Sequence, residues 1–207
     1  MSVTETTVKA VIFDLGGVLI HWDPTPVFRE RFPDDTDGLN AFLHGPFKDL
    51  ALTSCESTEP FDDLVPRFRR KYPEAADLFD LFAARWHDFV QAPMPDSIAV
   101  LDALVEAGTP VFALTNWPAE TFPPRGSDYA FLQAFGDIVV SGEVGLRKPD
   151  AAIYRLALAR FGLEPADVLF IDDHAGNVDA AAALGMTAHH FQDAQTLRRT
   201  VVSHDLC

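Results

Sequence analysis

Positive charge is scarce in this chain. Lys and Arg together number 16, against 31 Asp and Glu, which leaves a formal net charge of −15 over 207 residues. Nucleic acids and anionic membranes are held by clustered cations, so neither is expected as a partner. Cysteine is scarcer still. Cys55 and Cys207 lie far apart, and neither sits in a CxxC or beside a His. That excludes a disulfide framework, and both thiols are expected to be chemically inert. Long apolar runs are missing too. None approaches the roughly 20 residues that span a bilayer, and the N-terminus MSVTETTVKA carries no apolar signal region. A cytoplasmic location is the default expectation. Internal repeats and low-complexity tracts are likewise absent. The acidic balance also makes capture of a phosphorylated substrate a local problem, because a few cations or a metal ion must reverse the sign at the site.

Apolar residues are plentiful at 48% of the chain, with 23% charged. These are the proportions of one globular domain, or of a core domain with an insertion. Two textures alternate. Short β-rich runs stand at KAVIFD (9–14), TPVFALT (109–115), GDIVVS (136–141), DVLFID (167–172) and TAHHF (187–191). Helical patterns separate them at Ser97 to Ala107, Asp150 to Phe161 and Asn177 to Leu184. Each stops at a glycine: Gly108, Gly162 or Gly185. Strand–helix alternation predicts an α/β fold, a Rossmann-like doubly wound parallel sheet covered on both faces.

The stretch from 24 to 92 breaks the rhythm. It shows no convincing buried strand and carries Phe28, Phe32, Phe42, Phe47, Phe61, Phe68, Phe79, Phe82, Trp86 and Phe89 among charges. We read it as a set of short amphipathic helices inserted after the first strand. The catalytic core is then 1–23 and 93–207, with Pro93 and Pro95 marking the return crossing.

Ligands of a doubly wound sheet bind outside the carboxyl ends of its strands, and polar residues concentrate there. Asp14 ends the first strand, as a nucleophile, a metal ligand or a turn cap. Gly16 and Gly17 follow it and bare the backbone toward an anion. Thr115 and Asn116 end the second strand and can donate to phosphate oxygens or cap the strand. Lys148 follows the third and can balance carboxylates and grip a phosphate. Asp172 and Asp173 end the fourth; two adjacent carboxylates repel unless a cation such as Mg²⁺ joins them. His189 and His190 lack partners at ligand spacing and read as structural or surface residues, while His174 is a weaker substrate-contact candidate.

These residues resemble the haloacid dehalogenase-like hydrolase superfamily. Four motifs stand in order: FDLGG (13–17), ALTN (113–116), RKPD (147–150) and FIDD (170–173). The insertion resembles that superfamily's type-1 helical cap, and FDLGGVLIHWD is similar to the α-glucose-1-phosphate phosphatase type. The resemblance implies a phosphatase of a small phosphorylated metabolite such as a sugar phosphate. Asp14 would form an aspartyl-phosphate. Mg²⁺ would be held by Asp14, the Gly16 carbonyl and Asp173, with Asp172 as an inner or outer ligand. Thr115, Asn116 and Lys148 would bind the transferring group.

One departure matters. Many phosphatases of the superfamily carry Asp two residues after the nucleophile as general acid and base; here that position is Gly16. Asp23 or His21 is a candidate replacement donor, with Asp23 preferred. Otherwise the leaving group needs little help. Trp117 and Phe122, in the loop 117–126, are candidates to stack on a sugar or wall off an apolar group, and Arg125 to meet a second anion. Two other readings stay open: a 2-haloacid dehalogenase, which FIDD argues against, and a catalytically weak protein that binds a phosphorylated ligand or partner. A monomer or a homodimer is expected.

Overall fold

The structure, a computed structural model, describes residues 8–123 and 129–207. Arg125 lies outside the described residues. Seven strands are present among them: Ala10–Phe13 (β1), Ile20–Trp22 (β2), Val90–Pro93 (β3), Val111–Thr115 (β4), Ile138–Val140 (β5), Val168–Asp172 (β6) and Thr187–His190 (β7). Five of them form a parallel sheet in the order β5-β4-β1-β6-β7. These are the five runs that the sequence marks out. The chain crosses over between every neighbouring pair, as a parallel sheet requires.

Both sheet faces are buried, and successive side chains of each strand serve opposite faces. Val11, Phe13, Leu169 and Ile171 join the cluster that runs into residues 24–92. Ile12, Leu114, Val139 and Phe170 join a second cluster with Ile153, Tyr154, Ala157 and Ala181.

The insertion holds six α-helices: Thr25–Arg29 (α1), Thr36–Phe42 (α2), Lys48–Glu56 (α3), Phe61–Lys71 (α4), Ala76–Ala84 (α5) and Trp86–Phe89 (α6). A π-turn at Leu43–Phe47, with Pro46 inside it, joins α2 to α3. Proline lacks the N–H that a regular turn needs there. The aromatic residues of the insertion pack on one another. Phe28 meets Phe42, Phe47 and Phe89 at ring-centroid distances of 4.9, 5.1 and 5.4 Å. Phe82 meets Phe61 and Trp86 at 4.9 and 5.2 Å. Each such pair contributes about 0.5–1.5 kcal/mol beyond the burial of its area.

The core helices are Pro95–Glu106 (α7), Ser141–Val144 (α8), Ala151–Phe161 (α9), Ala175–Ala183 (α10) and Ala194–Ser203 (α11). Asp150 caps α9 by accepting from the Ala152 N–H, and Gly162 ends that helix in the left-handed conformation. Helices α7 and α10 each begin two residues earlier than the sequence pattern indicates. Pro95 is the reason at α7: it fits a helix's first turn, where its missing N–H has no partner to lose.

The sequence did not foretell the β2–β3 ribbon. These two short antiparallel strands carry the chain out of the core and back, pairing Ile20 with Pro93 and Trp22 with Val90. They are three and four residues long and largely exposed, so they carry almost no hydrophobic pattern. Two further bonds tie insertion to core: the Phe61 N–H donates to Glu120 at 2.7 Å, and Arg147 pairs with Glu56 at 2.5 Å. No helix among the described residues is long and apolar enough to cross a membrane.

Candidate active site

Strand register sets the floor of the site. Phe13 lies beside Ala113 of β4 and Ile171 of β6. The next residue, Asp14, therefore stands level with Leu114 and Asp172. Pairing continues one step past β1, where the Asp14 N–H donates to the Ile171 carbonyl at 2.8 Å. Asp14, Asp172 and Asp173 each bring a carboxylate oxygen within 4.8 Å of the others.

Lys148 is buried among them at 1% exposure. Its ammonium donates to the Leu114 carbonyl at 2.8 Å and to Asp172 at 2.7 Å, and it stands 3.0 Å from Asp14. These three contacts use all its N–H groups. In this arrangement Lys148 neutralises the floor from behind; it is not among the residues that line the cavity. Burial disfavours its charge, but Asp14 and Asp172 outweigh that and hold its pKa above the ordinary value.

Asp172 is equally committed. One oxygen accepts the His174 N–H at 2.9 Å, the other accepts Lys148, and Asn177 Nδ2 lies 2.9 and 3.1 Å from the two. The side chain is fully buried, so it supports the site from underneath. Asp173 is exposed and stands at the cavity wall. Partial loss of water at that wall, and then Asp172, push its carboxyl above the usual range. Burial raises Asp14 to about 8 against the pull of Lys148, with Asp172 and Asp173 adding to the rise. Three crowded carboxylates against one ammonium leave the floor short of positive charge.

The loop after β1 explains both glycines. Gly17 has φ +74°, and a Cβ there would stand 2.3 Å from an Asp173 carboxylate oxygen. Asp173 thus occupies the space that any other residue at 17 would need. Gly16 differs: its φ is not positive, and a Cβ would meet only the Trp22 Cβ at 4.0 Å. Nothing in the packing demands glycine at 16.

A cavity of about 310 Å³ opens above this floor. Asp14, Gly16, Gly17, Thr115, Asn116, Trp117 and Asp173 line it, so the structure brings these expected site residues together. The Asn116 side chain has a structural task in addition. Its Nδ2 donates to the Lys148 carbonyl at 2.9 Å, and its Oδ1 accepts the Lys148 N–H at 2.8 Å. The carboxamide fixes the loop that delivers the lysine, and these two bonds leave its second Nδ2 N–H uncommitted at the cavity lining.

Asp23 and His21 are not brought to the cavity. Side chains alternate along a strand, so His21 points away from Trp22. His21 lines a separate depression with Met94, Asp96 and Gln192, whereas Trp22 lines the cavity. The Asp23 carboxylate turns onto the Thr25 N–H at 2.8 Å, ahead of α1. Phe122 packs edge-on against Trp117 at 6.0 Å and does not line the cavity. His174 is at the wall. His190 meets the Asp173 carbonyl at 2.9 Å, and His189 meets the Thr200 hydroxyl at 3.0 Å.

Sequence reasoning missed Asn177, which binds Asp172 and lines the cavity. Its position in the first turn of α10, five residues after Asp172, was the available signal. It also missed the roof: Trp22, Ala51, Leu52, Cys55 and Trp86. Cys55 is buried there, with burial pushing its thiol up to about 12. It is a protonated wall residue and no nucleophile. The indole N–H groups of Trp86 and Trp117 are buried and find no acceptor among the described residues.

A family model described as haloacid dehalogenase-like hydrolase matches residues 8–185. A sesquiterpene phosphatase from Aspergillus oryzae is 30% identical over 191 residues, covering 91% of this chain and 92% of that protein. A phosphoglycolate phosphatase from Pectobacterium atrosepticum is 24% identical, covering 87% of this chain and 78% of that protein. Two longer relatives match over less of their own length, the chain spanning 36% and 17% of them. Among solved structures, a haloacid dehalogenase-family enzyme from Bacteroides thetaiotaomicron, in complex with magnesium and inorganic phosphate, has the same fold. Its TM-score is 0.67 at 22% identity, covering 92% of this chain and 98% of that one.

Proposed function

This chain belongs to the haloacid dehalogenase-like hydrolase family, and on that premise we propose that it is a Mg²⁺-dependent phosphatase of a small phosphorylated metabolite. The observation that carries the reading is the Asp14 carboxylate, which lines the cavity with Lys148 3.0 Å behind it. Two relatives named for phosphatase activity support it.

The residues present fit the metal. The donor set is all oxygen, which suits a hard cation. Three carboxylates share one ammonium, and Gly17 leaves the space that Asp173 fills. Asp14 and Asp173 would hold the ion through carboxylates and Gly16 through its backbone carbonyl, with Asp172 adding charge from below. Bound there, Mg²⁺ would supply charge to neutralise phosphoryl oxygens and so favour attack on phosphorus.

An Asp14 oxygen attacks phosphorus, the bond to the ester oxygen breaks, and an aspartyl-phosphate forms. Water then attacks that phosphorus, releasing inorganic phosphate and regenerating Asp14. Thr115 stands at the wall, where its hydroxyl can hold the transferring group. Asn116 and Asp172 act through Lys148, fixing the loop and the ammonium. Residues 24–92 serve as the cap that covers the reaction. With Gly16 in the acid position and Asp23 bonded to the Thr25 N–H, neither position supplies a proton to the leaving group.

The sugar-phosphate reading rests on the resemblance of FDLGGVLIHWD. The relatives are named for a sesquiterpene phosphatase and a phosphoglycolate phosphatase, so the phosphoryl group is their common part. The test is phosphate release from a panel of phosphate monoesters with Mg²⁺. Activity is expected to vanish with EDTA and in Asp14→Asn. Release that survives either change contradicts the reading.

A further inference from the structure

We infer that the substrate's alcohol is a compact apolar group, an alkyl, isoprenyl or aryl unit, and that the enzyme discriminates against sugar phosphates. This deepens the phosphatase reading and rests on it. The charged and hydrogen-bonding side chains of the lining, Asp14, Thr115, Asn116, Asp173, His174 and Asn177, all come from the strand ends of the sheet and the start of α10, where a phosphoryl group and a metal would use them. The roof is made by Trp22, Ala51, Leu52, Cys55, Trp86 and Trp117. None of these six side chains carries an oxygen. Their polar atoms are indole N–H groups and one protonated thiol, so they offer donors and no strong acceptor. Ala51, Leu52 and Cys55 all lie on α3, where the Ala51 and Leu52 carbonyls fall within the helix's own bonding pattern.

A sugar ring entering this space would turn several hydroxyl donors toward rings and methyl groups. Stacking on an aromatic face does not replace their lost water. A site built to hold a sugar pairs such hydroxyls with carboxylates or amides, and each one buried unpaired costs about ten- to a hundredfold in binding. A hydrocarbon meets the opposite situation. Each methylene moved from water onto this roof improves kcat/KM about fourfold. Size agrees with the chemistry. A volume of about 310 Å³ lies at the lower end for small-molecule pockets, which suits a compact group beside a phosphoryl group. Trp22 is partly exposed and stacks on Phe47 at 6.2 Å, which keeps an apolar ring at the rim.

The experiment measures kcat/KM with Mg²⁺ for ethyl, butyl and hexyl phosphates, whose leaving groups are nearly equal in reactivity. Glucose 1-phosphate, phosphoglycolate and acetyl phosphate complete the set. Along the alkyl series kcat/KM is expected to rise about tenfold or more for each two carbons. Hexyl phosphate should exceed glucose 1-phosphate at least tenfold, although an anomeric oxygen is the better leaving group. In Leu52→Asn, which alters a half-buried roof residue, the hexyl-to-glucose ratio should fall about tenfold or more. A flat alkyl series, or glucose 1-phosphate or phosphoglycolate as the better substrate, overturns the inference while acetyl phosphate turnover leaves the phosphatase reading standing. If none of the esters, acetyl phosphate included, is hydrolysed, the phosphatase reading falls and the inference falls with it.

Discussion

Floor and roof of one cavity are stabilised in different ways. On the floor, Lys148, Asp14, Asp172 and Asn177 are held by hydrogen bonds of 2.7–3.1 Å, and removing one partner leaves another buried and unpaired. On the roof, Trp22 and Trp86 are held by packing on the ring cluster of Phe47, Phe61, Phe82 and Phe89. The difference teaches where each property of the enzyme resides. Chemistry depends on positions that tolerate no change of charge. The choice of substrate, on the inference drawn above, depends on surfaces that tolerate change of shape, because apolar contact is non-directional.

Substitutions on the floor should therefore separate activity from stability. The largest effect is expected for Asp14→Asn, which removes the proposed nucleophile and should lower turnover about 10⁵-fold or more. Its melting temperature should stay level or rise, since one of three crowded carboxylates becomes neutral. A large loss of stability would show that Asp14 is chiefly structural. Roof substitutions should behave in the reverse sense. Phe82→Ala removes a fully buried ring that meets four others and should cost about 3–5 kcal/mol in denaturant unfolding. The floor's Mg²⁺ affinity, read by titration of the folded protein, should be nearly unchanged.

The two glycines give a finer contrast within the floor itself. Gly17→Ala forces Asp173 out of its place and should weaken Mg²⁺ about 10–100-fold, measured by calorimetric titration. Gly16→Asp should fold normally, because a Cβ at 16 meets nothing closer than 4.0 Å. By supplying the missing acid it should raise kcat about 10²-fold on alkyl phosphates. A failure to fold, or no gain, would mean that Gly16 is required for another reason.

The smallest effect is on stability against pH. The Asp14 carboxyl is raised to about 8 in the fold, above its ordinary value of about 3.9 in an unfolded chain. The folded protein therefore binds the extra proton, and the stability this confers is lost as pH rises toward 8. A cation takes over where the proton leaves, so Mg²⁺ should raise the melting temperature more at pH 8 than at pH 5. Equal shifts at both values would detach the metal from Asp14.

The floor was legible in the sequence because strand ends mark it. Once the five apolar runs are placed side by side, Asp14, Thr115 and Asp172 must come to one edge. Finer roles were not legible. Lys148 and Asn116 are spaced as phosphate ligands, yet only three-dimensional contacts show the amide bracing the lysine loop and the lysine fully engaged with Asp14, Asp172 and the Leu114 carbonyl. The placing of Asp23 was not legible for a local reason, since a carboxylate two residues before Thr25 can bond the first free N–H of a helix. The roof was hidden because the insertion shows a mass of aromatics without a register to the sheet. Which of Trp22, Trp86 and the phenylalanines faces the cavity is decided by how α3 and the β2–β3 ribbon lie over the strand ends, and composition does not encode that.

The central claim is that Asp14 accepts the phosphoryl group. A single-turnover reaction with hexyl phosphate and Mg²⁺, quenched in acid and digested, tests it by mass spectrometry of the peptide that contains residues 11–23. The account predicts one added phosphoryl group on Asp14, which disappears as inorganic phosphate is released and is absent when EDTA replaces Mg²⁺. Phosphate release in the same experiment with that peptide unmodified at every time point would contradict it.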